Sequence, residues 1–274
     1  MVQARATSPL PAGFEYKPRG NKASRILARI QSRTFEYPAV DSANSIESAV
    51  RSRDAFLFHG FNRNPLRGKI MQSLARAASC TVFVETGCGK GATALCVHSF
   101  LKLPVWSCEN SLFNYLICKC LAAGLSGMDI QHSDSRDFLQ KSARRLIADP
   151  KQVPFFFLDA HGGVDGTGIT GDSLPILEEI EIIHTTPRFL AVIDDVQLPG
   201  FPGGAYGDVI LDLKYMAPTL LRQGTRSCWV PNYQTDADIG WPSGYCIFSR
   251  GLDLDAVISS SSFPLNLLEK RDLG

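Results

Sequence analysis

The sequence carries no excess of charge: 28 Lys and Arg are set against 27 Asp and Glu, a formal net charge of +1. Such a balance offers no electrostatic footprint for a nucleic acid or an anionic membrane surface. Long apolar runs are also missing. None reaches the roughly 18 residues that span a bilayer, so the chain reads as soluble with no membrane partner. The N-terminus lacks the charged-then-apolar pattern of a secretory signal. There is no Cys-x-x-Cys pair among the eight cysteines, which argues against both a zinc ribbon and a disulfide framework. Cys118 and Cys120 stand two apart on an expected helix and so do not face one another. Cys80, Cys96, Cys108 and Cys246 sit among apolar neighbours, where free cysteine packs as a small hydrophobe. The expectation is of reduced core thiols in a cytoplasmic protein.

What is present is a globular composition, 45% apolar, in a chain of 274 residues. That length suits one large α/β domain or two small ones. Residues 1–33 are rich in Arg, Lys, Pro and Ser with Glu15 as the one acid, and read as a flexible basic arm. The division expected is an N-terminal arm or cap over 1–64 and a cofactor-binding catalytic domain over 65–274. A homo-oligomer stays open.

From Thr81 onward, short β-rich runs alternate with helical stretches. Thr81–Glu85 reads as a buried strand leading through a glycine turn into a helix, and Leu66–Ala78 as a helix packed beside it. Val105–Glu109 is the next strand, followed by a helix capped by Ser111. Asp129–His132 predicts a third strand and Phe138–Ile147 a helix. The run Phe155-Phe156-Phe157-Leu158 ends at Asp159, as a central parallel strand ends. A helix capped by Asp172 or Ser173, with Pro175 in its first turn, leads to the strand Phe189–Asp194. Glu178, Glu179 and Glu181 read as its solvated face. Ser227–Val230 and Tyr245–Ser249 could pair antiparallel. The rhythm argues for an α/β, doubly wound, mostly parallel sheet with helices on both faces.

The turn Gly87-Cys88-Gly89-Lys90-Gly91 lets the backbone bend sharply and approach a ligand, while the helix start presents free N–H groups. Glu109 ends the next strand about 20 residues on, where an acid accepts hydrogen bonds from ribose hydroxyls. The turn also satisfies the dinucleotide pattern G-x-G-x-x-A through Ala92, so NAD competes with S-adenosylmethionine as the ligand. Two acids favour the methyl donor. Glu85 would repel a pyrophosphate but suits a cationic amine or sulfonium, and Asp134, after the third strand, suits the adenine amino group.

Asp159 and the pair Asp194–Asp195 end two core strands. In an open parallel sheet, ligands gather outside the carboxyl ends of strands. If these two strands are neighbours, three carboxylates converge, and a cation is the natural resolution of their charge. Oxygen ligands suit Mg2+, which would activate an acceptor hydroxyl. His161 could serve as general base or as a further ligand. Glycine-rich loops over Gly162–Gly171 and Phe201–Tyr206, and a loop bearing Tyr233, Asp236, Asp238 and Trp241, offer walls for a substrate.

With these residues in view, Val84-Glu85-Thr86-Gly87-Cys88-Gly89-Lys90-Gly91 resembles the E/D-x-G-x-G-x-G signature of class I S-adenosylmethionine-dependent methyltransferases. Glu109 falls at that family's ribose-binding acid and His132-Ser133-Asp134-Ser135 at its adenine-side segment. The resemblance covers roughly residues 81–249 and implies a seven-stranded sheet with an antiparallel terminal hairpin. Phe157-Leu158-Asp159, with Ile193-Asp194-Asp195 running on to Pro199-Gly200, is similar to metal-dependent O-methyltransferases of the catechol and macrocin types. That resemblance implies Asp159, Asp194 and Asp195 as ligands of Mg2+; the catalytic groups expected from the residues are Asp159 and His161. It departs from the catechol type at Gly162, where that type has a lysine. The expected activity is methyl transfer to a hydroxyl of a small molecule. The rivals are an NAD-dependent oxidoreductase, a metal-independent N- or C-methyltransferase, and a non-catalytic binding module of the same fold.

Overall fold

The structure is a computed structural model of the chain. It describes residues 60–62, 64–161, 174–201, 203–206, 208–233, 243–261 and 267–274. The expected arm up to residue 59, the 162–173 loop with its Asp172 or Ser173 cap, and the loop residues Asp236, Asp238 and Trp241 lie outside them.

Helix α1 (Pro65–Ala77) begins where Asn64 accepts a hydrogen bond from the Arg67 N–H and Pro65 supplies a ready-made helical φ. Strand β1 (Val82–Thr86) runs through the glycine turn into α2 (Ala92–Phe100), with Gly91 as its cap. Next come β2 (Val105–Glu109) and α3 (Leu112–Leu121), the latter capped by the Ser111 hydroxyl. Strand β3 (Met128–His132) leads to α4 (Ser135–Ala148), and β4 (Pro154–Leu158) precedes α5 (Ile176–Ile183). Strand β5 (Phe189–Val196) is followed by a small hairpin, β6 (Ala205–Tyr206) and β7 (Val209–Ile210), and then by α6 (Leu213–Arg222). Strands β8 (Ser227–Pro231) and β9 (Gly244–Arg250), helix α7 (Leu254–Ser260) and β10 (Leu268–Asp272) complete the order.

Eight of the described strands form one sheet, in the order β3-β2-β1-β4-β5-β9-β8-β10. The first five are parallel; β9 runs antiparallel to β5 and β8, and β10 antiparallel to β8. The antiparallel pair anticipated at Ser227–Val230 and Tyr245–Ser249 is present, but it is not the edge. An eighth strand, β10, covers it, its Leu268 buried and its Glu-Lys-Arg-Asp run largely in solvent. That charged composition hides a strand from hydrophobic patterning, and the same charge blunts an edge against further pairing.

Alternate residues of each central strand feed two cores. Phe156, Leu158, Ala191 and Ile193 meet Phe138, Leu139, Ile180 and Met216 from α4, α5 and α6 on one face. Phe155, Phe157, Leu190 and Val192 meet Ile70, Leu74, Val97 and Ile258 from α1, α2 and α7 on the other. Burial on both faces explains the unbroken apolar runs of β4 and β5. No helix among the described residues is long and apolar enough to cross a membrane.

Candidate active site

The strand order reverses between β1 and β4, and a crevice outside the strand ends opens at such a switch point. On its β1 side the turn packs directly on β4. A Cβ at Gly87, where φ is +71°, would drive into the Asp159 carbonyl oxygen and stand 2.7 Å from the Ala160 Cα, so no side chain fits. At Gly89 a Cβ would meet nothing within 4 Å; its α-carbon faces open space. Glu109 braces this turn, accepting from the Gly89 N–H at 2.8 Å and from the Ser111 N–H at 2.7 Å. Each carboxylate oxygen keeps a lone pair for a further donor.

Two cofactor-side expectations change in detail. Glu85 is sealed beneath the turn, 1% exposed, because its register on β1 pairs it with Ser107 of β2, whose hydroxyl donates to it at 2.6 Å. Burial pushes its carboxyl up to about 7, with the Ser107 hydrogen bond opposing and the nearby Glu109 and Asp194 charges adding to the rise. Glu85 therefore acts from below and does not line the crevice. Asp134 caps α4, accepting from the Arg136 N–H, and pairs through both oxygens with the Arg136 guanidinium at 3.0 Å. That ion pair holds its carboxyl below the usual range, and Oδ2 keeps one lone pair for a further donor.

Nearby, Glu179 departs from its reading as a solvated residue. It is fully buried, one oxygen 3.5 Å from the Thr86 hydroxyl and Oε1 without a partner. Its place on α5 turns it toward β1 and α4, while Glu178 and Glu181 point outward to Arg136 and Arg222. Burial pushes Glu179 up to about 7 against hydrogen bonds from Ser135 and Thr86.

On the other side, β4 and β5 are neighbours, as the convergence of carboxylates requires. The acids at the end of β5 separate through a bulge against β9: the pairing shifts by one residue between Ile193 and Val196, and Asp195 takes a left-handed φ of 54°. A bulge re-aims side chains, and aspartate tolerates this conformation better than most residues. Asp194 thereby turns inward to Arg67 of α1, both side chains 1% exposed, in a buried ion pair. Asp195 lies beside it, both carboxylates within 3.5 Å of the Asn62 amide nitrogen. One ligand atom each from Asp159, His161 and Asp195 lies within 4.8 Å of the others. Of the expected trio, Asp159 and Asp195 meet here together with His161, while Asp194 is ion-paired with Arg67.

Electrostatics reinforce this division. Burial drives Asp159 well above the carboxylate range, and the Asp194, Asp195 and Glu85 charges drive it further, only partly offset by Arg67. Burial pushes Asp194 up to about 6 against the pull of Arg67. His161 Nε2 lies 2.8 Å from the Asp194 carbonyl oxygen, and burial lowers its tendency to protonate. Its Nδ1 is buried without a partner.

Sequence reasoning missed the supporting residues. Asn62, read as part of the arm, reaches Asp195 at 3.2 Å and Ser243 at 2.7 Å. The Arg67 guanidinium lies 4.6 Å from the Tyr245 ring centre and bonds Ser243 at 3.3 Å. Tyr206 sets its ring edge-on to His161, with its hydroxyl 3.5 Å from Asp195. An arginine within an apolar helical stripe was the one available signal, since a buried guanidinium demands an acid partner.

No family model matches the chain, and no curated protein matches it. Among solved structures it is similar to an O-methyltransferase from Bacillus cereus in complex with SAH, at 16% identity over 85% of this chain and 92% of that one, TM-score 0.45. An O-methyltransferase from Streptomyces achromogenes, involved in tomaymycin synthesis and in complex with SAM, matches at 16% identity over 82% and 96%, TM-score 0.46. A spermidine synthase with a transition-state analogue matches at 12% identity over 74% of each chain, TM-score 0.45. TM-scores below 0.5 carry nothing about chemistry, and the fold stands on the strand order itself. With β3-β2-β1-β4-β5 parallel and β9 reversed beside β5, the chain has the class I methyltransferase fold.

Proposed function

We propose that the chain transfers a methyl group from S-adenosylmethionine to a hydroxyl of a small molecule, with a divalent cation at the acid side of the crevice. The observation that supports this most is the meeting of Asp159, His161 and Asp195 across the switch point from the glycine turn. The turn and Glu109 would hold the nucleoside, with the spare lone pairs of Glu109 facing ribose hydroxyls. Glu85, from beneath, would favour a ligand that carries positive charge over a pyrophosphate. Asp134 would serve the adenine amino group through the lone pair that its Oδ2 keeps.

The residues present fit a cation. Two carboxylates and a buried imidazole nitrogen without a partner among the described residues converge, and Arg67 is ion-paired to Asp194. Asp159 and Asp195 would hold the ion, and a bound cation lowers the pKa of an acceptor hydroxyl toward neutrality. His161 would stand beside that acceptor, as a further ligand of the ion or as a neutral base, with Tyr206 packed against its ring. Alignment of acceptor oxygen and methyl group supplies much of the rate.

Calorimetry with S-adenosylhomocysteine and NADH tests the cofactor, and mass spectrometry of methyl gain over a panel of catechol and sugar hydroxyls tests the reaction. The expected result is S-adenosylhomocysteine binding, methyl gain that EDTA abolishes, and turnover at least about a hundredfold lower in Asp195→Asn. NADH binding without S-adenosylhomocysteine binding overturns the reading, and EDTA-resistant turnover removes the metal from it.

A further inference from the structure

The nitrogen of His161 bears on which cation the acid side takes. A backbone carbonyl only accepts hydrogen bonds, so at 2.8 Å from the Asp194 oxygen the proton must sit on His161 Nε2. Nδ1 then carries a lone pair, and it is buried with no hydrogen-bond partner among the described residues, an arrangement that costs about 1–3 kcal/mol unless something answers it. The ring is also fixed. Its Nε2 is tied to β5, and its face meets the edge of Tyr206 at a centroid distance of 5.6 Å. A ligand histidine whose second nitrogen donates to a carbonyl has the tautomer and orientation that metal binding requires. The neighbouring donors are held as well, Asp195 by the Asn62 amide and the Tyr206 hydroxyl.

Charge and donor type then narrow the choice. Arg67 neutralises Asp194, which leaves Asp159 and Asp195 to balance a doubly charged ion. Mg2+ prefers oxygen donors and keeps much of its water, so an imidazole nitrogen adds little to its binding. First-row transition ions accept mixed imidazole and carboxylate donors and gain from the nitrogen. We infer that the site is built for a first-row transition metal ion in preference to Mg2+, with His161 Nδ1 as its nitrogen ligand beside Asp159 and Asp195. The imidazole so engaged is a ligand and not the general base. This rests on the reading of the crevice above only for what the ion does, because ion binding is measured without cofactor or acceptor.

The test uses the full chain, stripped by a chelator, with Mn2+, Zn2+ and Mg2+ salts as probes. Calorimetric titration should give Zn2+ and Mn2+ affinities at least about tenfold above that of Mg2+. Mn2+ bound to the unaltered protein should show directly coupled 14N in pulsed electron paramagnetic resonance. His161→Ala should erase that coupling and bring Zn2+ affinity down about tenfold or more, with Mg2+ affinity little changed. Mn2+ bound without nitrogen coupling, equal affinities for Mg2+ and Zn2+, or no metal binding at all overturns the inference, and the first of these needs no variant. S-adenosylhomocysteine titrated into the same sample separates the two claims. Its failure to bind beside a positive nitrogen signal sinks the methyl-transfer reading alone, whereas its binding beside oxygen-only Mn2+ sinks this inference alone.

Discussion

Glu109 and Asp195 both stand at the carboxyl end of a strand in the same sheet, yet their surroundings are opposite. Glu109 answers the N–H groups of Gly89 and Ser111, both within the one strand–turn–helix–strand unit. Asp195 sits in a strained turn among Asp159, Asp194 and His161, held by Asn62 and Tyr206 from distant parts of the chain. On the turn side the Gly89 and Ser111 N–H groups are met within the unit that carries them. The acid side gathers three carboxylates around one arginine, and burial with their mutual repulsion drives Asp159 well above the carboxylate range. A crevice of this kind holds a rigid seat for one ligand beside an electrostatically loaded seat for another.

The sharpest way to break the acid side is to remove its one internal counter-charge. Arg67→Met leaves Asp194 buried and unpaired, and denaturant titration should find the protein about 3–5 kcal/mol less stable. Arg67→Met with Asp194→Asn should regain much of that loss, since neither charge then remains. A single-variant loss below about 1 kcal/mol would mean that the pair is not the keystone drawn here.

The turn side breaks through the backbone. Gly87→Ala forces a methyl into β4 at a positive φ, with an expected cost of about 2–4 kcal/mol and loss of measurable S-adenosylhomocysteine binding. Gly89→Ala, with open space around its Cβ, should cost only about 1 kcal/mol of fold stability. Thermal melts and calorimetry read both. Equal destabilisation by the two would show that φ alone, not the contact with Asp159, sets the demand for glycine.

A pH scan separates the sides more gently. Glu85 and Glu179 have folded-state values near 7, above their unfolded value of about 4.5. Between those limits the folded chain binds more protons than the unfolded one, so stability falls as pH rises from about 4.5 to 7. Glu179→Gln should flatten its share of that slope, on the order of 3 kcal/mol, and raise Tm at pH 8 more than at pH 5. A slope unchanged in this variant would return Glu179 to the solvated face of α5.

Much of this architecture was legible because its signals are local. A run such as Phe155–Leu158 ending at Asp159 announces a central parallel strand, and Ser111 announces a helix start. The glycine turn and Glu109 lie within a stretch of 25 residues whose spacing is enforced by one strand–turn–helix–strand unit. The reading failed where composition and contact disagree. β10 is charged and looks like a tail, Glu179 sits in a glutamate-rich helix, and Arg67, the partner of Asp194, lies 127 residues before it.

The sequence by itself determined the order of strands and helices, the place of the turn, and the residue types available at each strand end. Those follow from hydrophobic period and from turn chemistry, which act over a few residues. Which carboxylates face one another was decided only in the tertiary structure. A bulge of one residue in β5 sends Asp194 to Arg67 and Asp195 to His161, and α1 carries the answering charge from more than a hundred residues away. Side-chain direction at a bulge, and the pairing of charges across strands and helices, depend on which elements pack together, and no spacing along the chain encodes that.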